Sequence, residues 1–291
     1  MQHMLKKVGW KKKVIDESCP VMPISGWQGD NLIKREGANG KVNMEWWKGI
    51  EVTNQKGDKI TCFTLLDCLE KFVIPPKRTD DGAMRVPLSG VYKIKGVGDV
   101  LTGRVEQGLV KPGDECMFLP THSTSTACTG KVFTVEMHHK NVDAAHQGDN
   151  VGMNVKGLPK DNMPRVGDVM VLKSDTTIAR TAEFTATVQV LNHPGQLKVG
   201  YCPIAFVRTA RSAVRMSQIV WKMGKETGNQ KAESPTAMKA GEMGSVKFEP
   251  QQAFVVDKFK SCEGLGRIAI MEGNTVVMLG KVMGAVAYVE K

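Results

Sequence analysis

The sequence has no cysteine pair spaced as C-x-x-C, and its seven cysteines, Cys19, Cys62, Cys68, Cys116, Cys128, Cys202 and Cys262, are scattered and odd in number. A disulfide framework is therefore not what organises the chain, and free thiols point to a reducing compartment. A zinc site is disfavoured as well, because none of the six histidines stands at ligand spacing from a cysteine pair. A G-x-x-x-x-G-K-[ST] phosphate loop is missing. The nearest imitation, Gly273 to Gly280-Lys281-Val282, has six residues between its glycines and ends on a valine, which has no hydroxyl for Mg²⁺. Asn-Lys-x-Asp is absent too, so the chain by itself lacks the means for phosphoryl transfer. Long apolar runs are also wanting. The most apolar stretch, Val276 to Val289, is broken by Gly280, Lys281 and Gly284 and is too short for a bilayer. Met1-Gln2-His3-Met4-Leu5-Lys6-Lys7 lacks the apolar core of a secretory signal. These absences predict a cytoplasmic protein with no membrane partner.

What is present is basic charge and short β-rich runs. Forty Lys+Arg against thirty Asp+Glu give +10, which favours a polyanion, nucleic acid first among them. Basic residues are dense at Lys6, Lys7, Lys11, Lys12 and Lys13 and recur at Arg208, Arg211, Arg215, Lys222 and Lys225. With 41% hydrophobic and 24% charged residues over 291 positions, the chain can build two or three cores.

The first eighty residues read as part of an α/β unit. A helix from Met1 stops near Gly9, Val21-Met22-Pro23-Ile24 reads as a short buried strand, and Ser25-Gly26-Trp27-Gln28-Gly29-Asp30-Asn31 is a turn-rich loop. Thr64 to Phe72 reads as a helix with Thr64 as N-cap, and Pro75 to Gly82 has linker composition. From Arg85 onward, β-branched runs alternate with Gly, Pro, Asn and Asp. The runs Val100–Glu106, Glu115–Phe118, Val132–Val135, Val151–Val155 and Val169–Leu172 predict one small barrel. Phe184–Leu191, Tyr201–Val207, Gly244–Phe248, Ala253–Val256, Gly266–Ile270 and Thr275–Leu279 predict a second, divided from the first near Asp175-Thr176-Thr177. The expected fold is mainly β: two consecutive small antiparallel β-barrels, 84–175 and 178–291, preceded by an α/β remnant at 1–80. The five tryptophans read as packing residues, not stacking platforms.

Two segments carry candidate chemistry. Val135-Glu136-Met137-His138-His139 reads as a strand, and Gly148-Asp149-Asn150 as a turn feeding another. Together they would present Glu136, His138 and Asn150, a set that can accept a ribose hydroxyl and donate to a carbonyl. The bland alternatives are a half-solvated strand and, for Glu136, an edge charge that discourages aggregation.

These segments resemble the elongation factor 1-alpha family of translational GTPases. The signatures run in family order: Val91-Tyr92-Lys93-Ile94, Gly103-Arg104-Val105-Glu106, Val135–His139, Gly148–Gly152 and Leu191-Asn192-His193-Pro194-Gly195. Pro23 to Asn31 resembles the family's last nucleotide-contacting loop. Arg208 stands where the family usually has His, and Met271-Glu272-Gly273-Asn274 where it has an Arg-rich run, so the match is not to a standard member; Met170-Val171-Leu172 and Met278-Leu279-Gly280 also resemble the divergent elongation-factor-like branch.

The resemblance implies a longer parent that binds GTP and Mg²⁺ and carries aminoacyl-tRNA to the ribosome, served by a guanine-nucleotide exchange factor. It marks this chain as a C-terminal part with a truncated GTP-binding domain that needs no cofactor alone. Residual nucleotide contact would fall to Ser25, Gly26 and Trp27. No catalytic or metal-ligating residue is expected. Glu136 would take the terminal ribose hydroxyl, His138 and Asn150 would border the amino-acid pocket, and Arg165 and Arg208 would meet phosphates of the acceptor and T-arm. The first barrel would hold the aminoacyl end, and the second the T-arm side and the nucleotide-domain contact. The alternatives are a release- or rescue-factor type of GTPase, whose ligand is a protein shaped like tRNA, and a nucleotide-independent binding module.

Overall fold

The structure, a computed structural model, describes residues 2–7, 10–54, 57–74, 78 and 80–289. The chain divides into two compact units, Met1–Lys77 and Arg78–Lys291. Half of the expected linker, residues 75–77 and 79, lies outside the described residues, as do positions 8 and 9, where the first helix was expected to stop.

In the first unit, helices α1 (Gln2–Lys7) and α2 (Lys12–Ser18) precede a long irregular segment and an antiparallel pair, β1 (Ile50–Thr53) and β2 (Lys59–Cys62). The strand expected at Val21–Ile24 does not form. Pro23 has no N–H for a ladder, and its carbonyl instead accepts from Asn31 Nδ2 at 3.0 Å. Thr64 does cap α3 (Leu65–Asp67), which continues as a wider turn through Cys68–Phe72. Thr64 Oγ1 accepts from Asp67 N at 3.0 Å, and Asp67 Oδ2 accepts from Thr64 N at 3.1 Å. This reciprocal box satisfies two N–H groups that the helix start would otherwise leave open.

The second unit holds two closed antiparallel barrels. The first contains β3 (Val86–Ile94), β4 (Gly98–Arg104), β5 (Glu115–Leu119), β6 (Thr129–Met137), β7 (Lys140–Val142), β8 (Asn150–Lys156) and β9 (Val169–Leu172). Their order is β5-β9-β3-β4-β8-β6-β7, and a β5–β6 pairing closes six of them into a ring. The second contains β10 (Thr181–Val190), β11 (Leu197–Lys198), β12 (Ile204–Val207), β13 (Ala210–Met223), β14 (Ala232–Glu233), β15 (Ala237–Met238), β16 (Met243–Pro250), a short helix α4 (Glu263–Gly266), β17 (Arg267–Glu272) and β18 (Thr275–Ala287). Its order is β12-β17-β18-β10-β16-β13-β14, closed by β12–β13. Closure removes the sheet edges, so every ring strand finds both ladder partners.

Alternation explains which residues enter the cores. Along β10, Phe184, Ala186, Val188 and Val190 are buried at every second position. Along β13 the buried set runs Ser212, Val214 and Met216, then shifts parity to Ile219, because a bulge between Met216 and Gln218 inserts one residue. Phe184 stacks on Phe248 with ring centroids 5.3 Å apart at the centre of the second core. Ala253–Val256, expected as a strand, is instead irregular, with Phe254, Val255 and Val256 buried. Phe254 O accepts from Thr181 N, and Val256 N donates to Thr181 Oγ1, so two of its buried backbone groups are met without a ladder.

The barrels share a core: Leu119, Val169 and Val171 of the first belong to the same apolar cluster as the second barrel's interior. A buried ion cluster ties the same seam. Arg85 pairs with Asp175 in the connection, donates to Thr177 Oγ1 at 2.8 Å, and lies 3.7 Å from Asp257 in the second barrel.

Candidate nucleic-acid interface

A hairpin and a neighbouring strand build the candidate site. β6 pairs with β8 so that Glu136 stands opposite Gly152, and β8 pairs with β4 so that Asn150 stands opposite Arg104. Gly103 keeps the floor of this region low, since a Cβ there would come within 2.6 Å of Pro87 O. The strand expected to continue through His138-His139 ends at Met137. Met137 pairs with Lys140, and the two histidines are the central residues of the connecting turn, with φ of 52° and 61°. Positive φ at both central positions is the conformation of a two-residue hairpin whose twist matches its strands. The histidines therefore do not face opposite sides of a sheet, and both project from the hairpin tip.

Glu136, His138, His139 and Asn150 line one open cleft of about 630 Å³, together with Ser89, Thr102, Arg104, Glu106, Arg208 and Thr209. Among the described residues the side chains of Glu136, His138 and Asn150 make no hydrogen bond or ion pair, and all three are exposed. Arg208 reaches this cleft from the second barrel. It sits in the two-residue turn between Val207 and Ala210 with φ of 53°. Its Nη2 donates to Glu106 Oε2 at 2.7 Å. Arg165 lies elsewhere, in a separate hollow of about 610 Å³ between the barrels that Thr121, Thr209, Arg211 and Gln252 also line. Near it, Asp168 accepts from Arg165 N at 2.9 Å, and burial pushes its carboxyl above the usual range. A third, apolar groove of about 810 Å³ on the second barrel is lined by Phe206, Met243, Leu279 and Met283, with Arg267 and Lys281 beside them.

Ser25, Gly26 and Trp27 lie in the first unit, in a tight turn. Ser25 Oγ accepts from Gln28 N at 3.1 Å, Ser25 O accepts from Gly29 N at 2.8 Å, and Trp27 is 94% exposed. Trp10 and Trp46 are exposed too, contrary to the packing role expected of the tryptophans. Trp47 does pack, donating from its indole to Phe63 O at 2.9 Å. Among the described residues no group of three acidic, His or Cys side chains converges as a metal site. With no phosphate loop and a Ser25 hydroxyl already engaged in its own turn, the residues present do not fit a bound GTP–Mg²⁺.

The sequence marks Arg211 only as part of a basic cluster and Arg104 and Glu106 only within a family signature, and nothing in it points to Thr209 or brings the four to one site. Arg104 ends β4 and Glu106 follows two positions on, with Val105 buried between them, so both stand on the cleft side. Their link to Arg208, about a hundred positions away, has no local signal.

Comparison with known proteins places these elements. Residues 98–171 match the family model of elongation factor Tu domain 2, and residues 183–283 match that of the GTP-eEF1A C-terminal domain-like family. The chain is 37% identical over 284 residues to elongation factor 1-alpha of Eremothecium gossypii, covering 98% of this chain and 58% of that protein. It is 36% identical over 280 residues to elongation factor 1-alpha of Onchocerca volvulus, covering 96% and 57%. The oocyte form from Xenopus laevis is 34% identical over 282 residues. The chain thus spans a little under three-fifths of the curated relatives it matches. Among solved structures, sup35 complexed with GDP superposes with a TM-score of 0.62 over 97% of this chain and 62% of that one, at 21% identity, a likeness of fold.

Proposed function

The chain belongs to the elongation factor 1-alpha family of translational GTPases, and from that premise we propose that it is the tRNA-holding part of a translation elongation factor. In its longer form this factor binds GTP and delivers aminoacyl-tRNA to the ribosomal A site in the cytoplasm, and a guanine-nucleotide exchange factor resets it. The observation that carries the reading is the convergence of Glu136, His138, Asn150 and Arg208 on one open cleft, with the first three side chains free of internal partners.

Each residue has a role that its chemistry suits. Glu136 accepts a hydrogen bond from the terminal ribose hydroxyl, a contact that also separates RNA from DNA. His138 and Asn150, at the hairpin tip and the start of β8, border the amino acid and engage its backbone groups, which every cargo shares. Arg208 in the cleft and Arg165 in the inter-barrel hollow take phosphates. Such contacts position an RNA without reading its sequence, which suits a carrier of many tRNAs. The three-part division, with a nucleotide-domain portion at 1–80 and barrels at 84–175 and 178–291, follows the same reading. Ser25, Gly26 and Trp27 would contribute to nucleotide contact only in the longer form, beside a phosphate loop that the present residues lack. Met170–Leu172 and Met278–Gly280, with the departures at Arg208 and Met271–Asn274, support assignment to the elongation-factor-like branch.

Substituting Glu136→Ala in the longer, GTP-bound protein is expected to lower affinity for aminoacyl-tRNA roughly tenfold. Titration of charged against uncharged tRNA provides the check. Unchanged affinity removes Glu136 from the site. Equal affinity for charged and uncharged tRNA transfers support to the release-factor type of ligand or to a general RNA-binding module.

A further inference from the structure

Glu106 is the one carboxylate in the cleft that is withdrawn from water. Its side chain is only 9% exposed, yet it is bracketed by two arginines from different barrels. Oε2 accepts from Arg208 Nη2 at 2.7 Å, and Oε1 lies 4.0 Å from Arg104 Nε. Its place is fixed from behind by Gly264 of α4, where any Cβ would collide with the carboxylate. One buried negative charge thus faces two positive ones. A single Arg–Glu pair would be close to neutral, but this triad keeps a surplus of one positive charge. The arginine side chains are partly exposed, at 50% for Arg104 and 38% for Arg208, and each guanidinium has five N–H donors of which Glu106 occupies few. The remaining donors border the cleft that also holds Glu136.

We propose that Arg104, Glu106 and Arg208 form a two-barrel clamp for a phosphodiester of an RNA 3′ end, with Glu106 as the residue that holds both guanidiniums in position. The proposal rests on the reading of the cleft as a seat for a charged RNA end and adds the polarity of that seat. The backbone phosphate lies at the arginine end, and the terminal ribose lies at Glu136. Planar forks held from behind suit a tetrahedral oxyanion better than a mobile ammonium would. Because Arg208 comes from the second barrel, a bound phosphate bridges the barrels.

The test titrates the 291-residue chain with a fluorescent single-stranded oligoribonucleotide bearing a free 3′ hydroxyl, over a range of salt concentrations. Arg104→Ala and Arg208→Ala are each expected to weaken binding roughly tenfold. Each should also reduce the slope of log affinity against log salt by about 0.7, the value for one phosphate on a single strand. Arg104→Lys keeps the charge and loses the fork, so affinity should fall with the slope kept. Glu106→Gln should do the same, several-fold, because both cations stay but lose their alignment. A methylphosphonate at the clamped linkage should weaken wild type and leave the Arg104→Ala, Arg208→Ala double variant unaffected. An unchanged slope in both alanine variants overturns the clamp, as does a methylphosphonate penalty that survives in the double variant. Aminoacylating the probe separates the two readings. Slope loss without any preference for the charged end keeps the clamp and sinks the tRNA-carrier reading. Preference for the charged end with an unaltered slope does the reverse. Failure to bind the oligonucleotide at all removes the clamp.

Discussion

Arg78–Lys291 is ordered by two contiguous apolar cores inside closed rings of strands, whereas in Met1–Lys77 the buried apolar side chains among the described residues are Ile15, Cys62 and Cys68. The first unit is instead pinned by polar contacts. Asp30 and Asn31 are buried in its long loop, Asn43 donates to Asp30 Oδ1 at 2.7 Å, Arg35 donates to Trp47 O at 2.8 Å, and the Thr64–Asp67 box sets its one well-capped helix. Trp27, Ile33 and Trp46 stay in solvent. A closed barrel satisfies its backbone and buries its apolar face in the same act, so it needs no further layer. A loop-rich unit held by hydrogen bonds has each bond worth only about 1 kcal/mol net.

The largest effect that could break this comparison is a hole in a barrel core. Phe248→Ala, which removes the ring stacked on Phe184, should cost the second unit about 3–5 kcal/mol. Denaturant unfolding followed in the barrels should show the loss, and proteolysis within Met1–Lys77 should keep its wild-type rate. If both units lose stability together, their order is not separately founded.

Next in size is the buried cation at the barrel seam. Arg85→Met leaves Asp175 and Asp257 buried without their counter-charge, and an uncompensated buried charge costs about 3 kcal/mol or more. Burial raises both carboxyls. At Asp257 it prevails and the pKa is raised, while at Asp175 the hydrogen bonds from Thr177 and Arg85 outweigh it and the pKa is lowered. The Asp175 share of stability is therefore present above the ordinary carboxylate range and lost as pH falls. In Arg85→Met that acid-side loss should shrink, because part of what held Asp175 ionised is gone. Urea midpoints measured between pH 3 and 7 decide it.

The barrels were legible in the sequence, and the first unit only in its opening helix and the helix that Thr64 caps, for the same physical reason. Strands buried on one side write a period of two into the chain, and Phe184, Ala186, Val188 and Val190 show it plainly. Polar pinning writes nothing periodic, so β1 and β2 went unseen and Val21–Ile24 was misjudged as a strand. Bulges hide the period even in the barrels: β13, the longest strand, changes parity at Met216 and was missed. In the site, Glu136, His138 and Asn150 were accessible because they sit within a few positions of turns. Glu106 gains its meaning from Arg208 and Gly264, which only the packing of one barrel on the other brings near.

A smaller effect sharpens the contrast from the side of the first unit. Thr64→Ala removes the N-cap acceptor and should cost that unit about 1 kcal/mol, with the barrels unaffected. Hydrogen exchange at Leu66 and Asp67 reports it directly. The Lys71 ammonium beside Asp67, with N–H groups of Phe63 and Thr64, holds its carboxyl down from 3.8 to about 2. A depressed value means the contribution is complete above about pH 4 and lost as pH falls through 2. Asp67→Asn should therefore remove an acid-induced loosening of the first unit that the wild type shows in that window.

The smallest expected effect separates the site from the fold within one hairpin. His138 and His139 both hold positive φ, which costs a residue with a Cβ roughly 1–2 kcal/mol, and Gly adopts it freely. His139→Gly should therefore leave the first barrel as stable as before or raise it by up to about 1 kcal/mol, even though a cleft side chain is lost. His138→Gly should match it in stability and differ in binding, because His138 is the histidine assigned to the cargo. Paired melts and charged-tRNA titrations of the two variants give the answer. If both variants lose stability, the histidines are packing residues of the hairpin and the turn was shaped for the barrel. If both keep stability and only His138→Gly loses preference for the charged end, the strain at this tip is retained for what the tip binds.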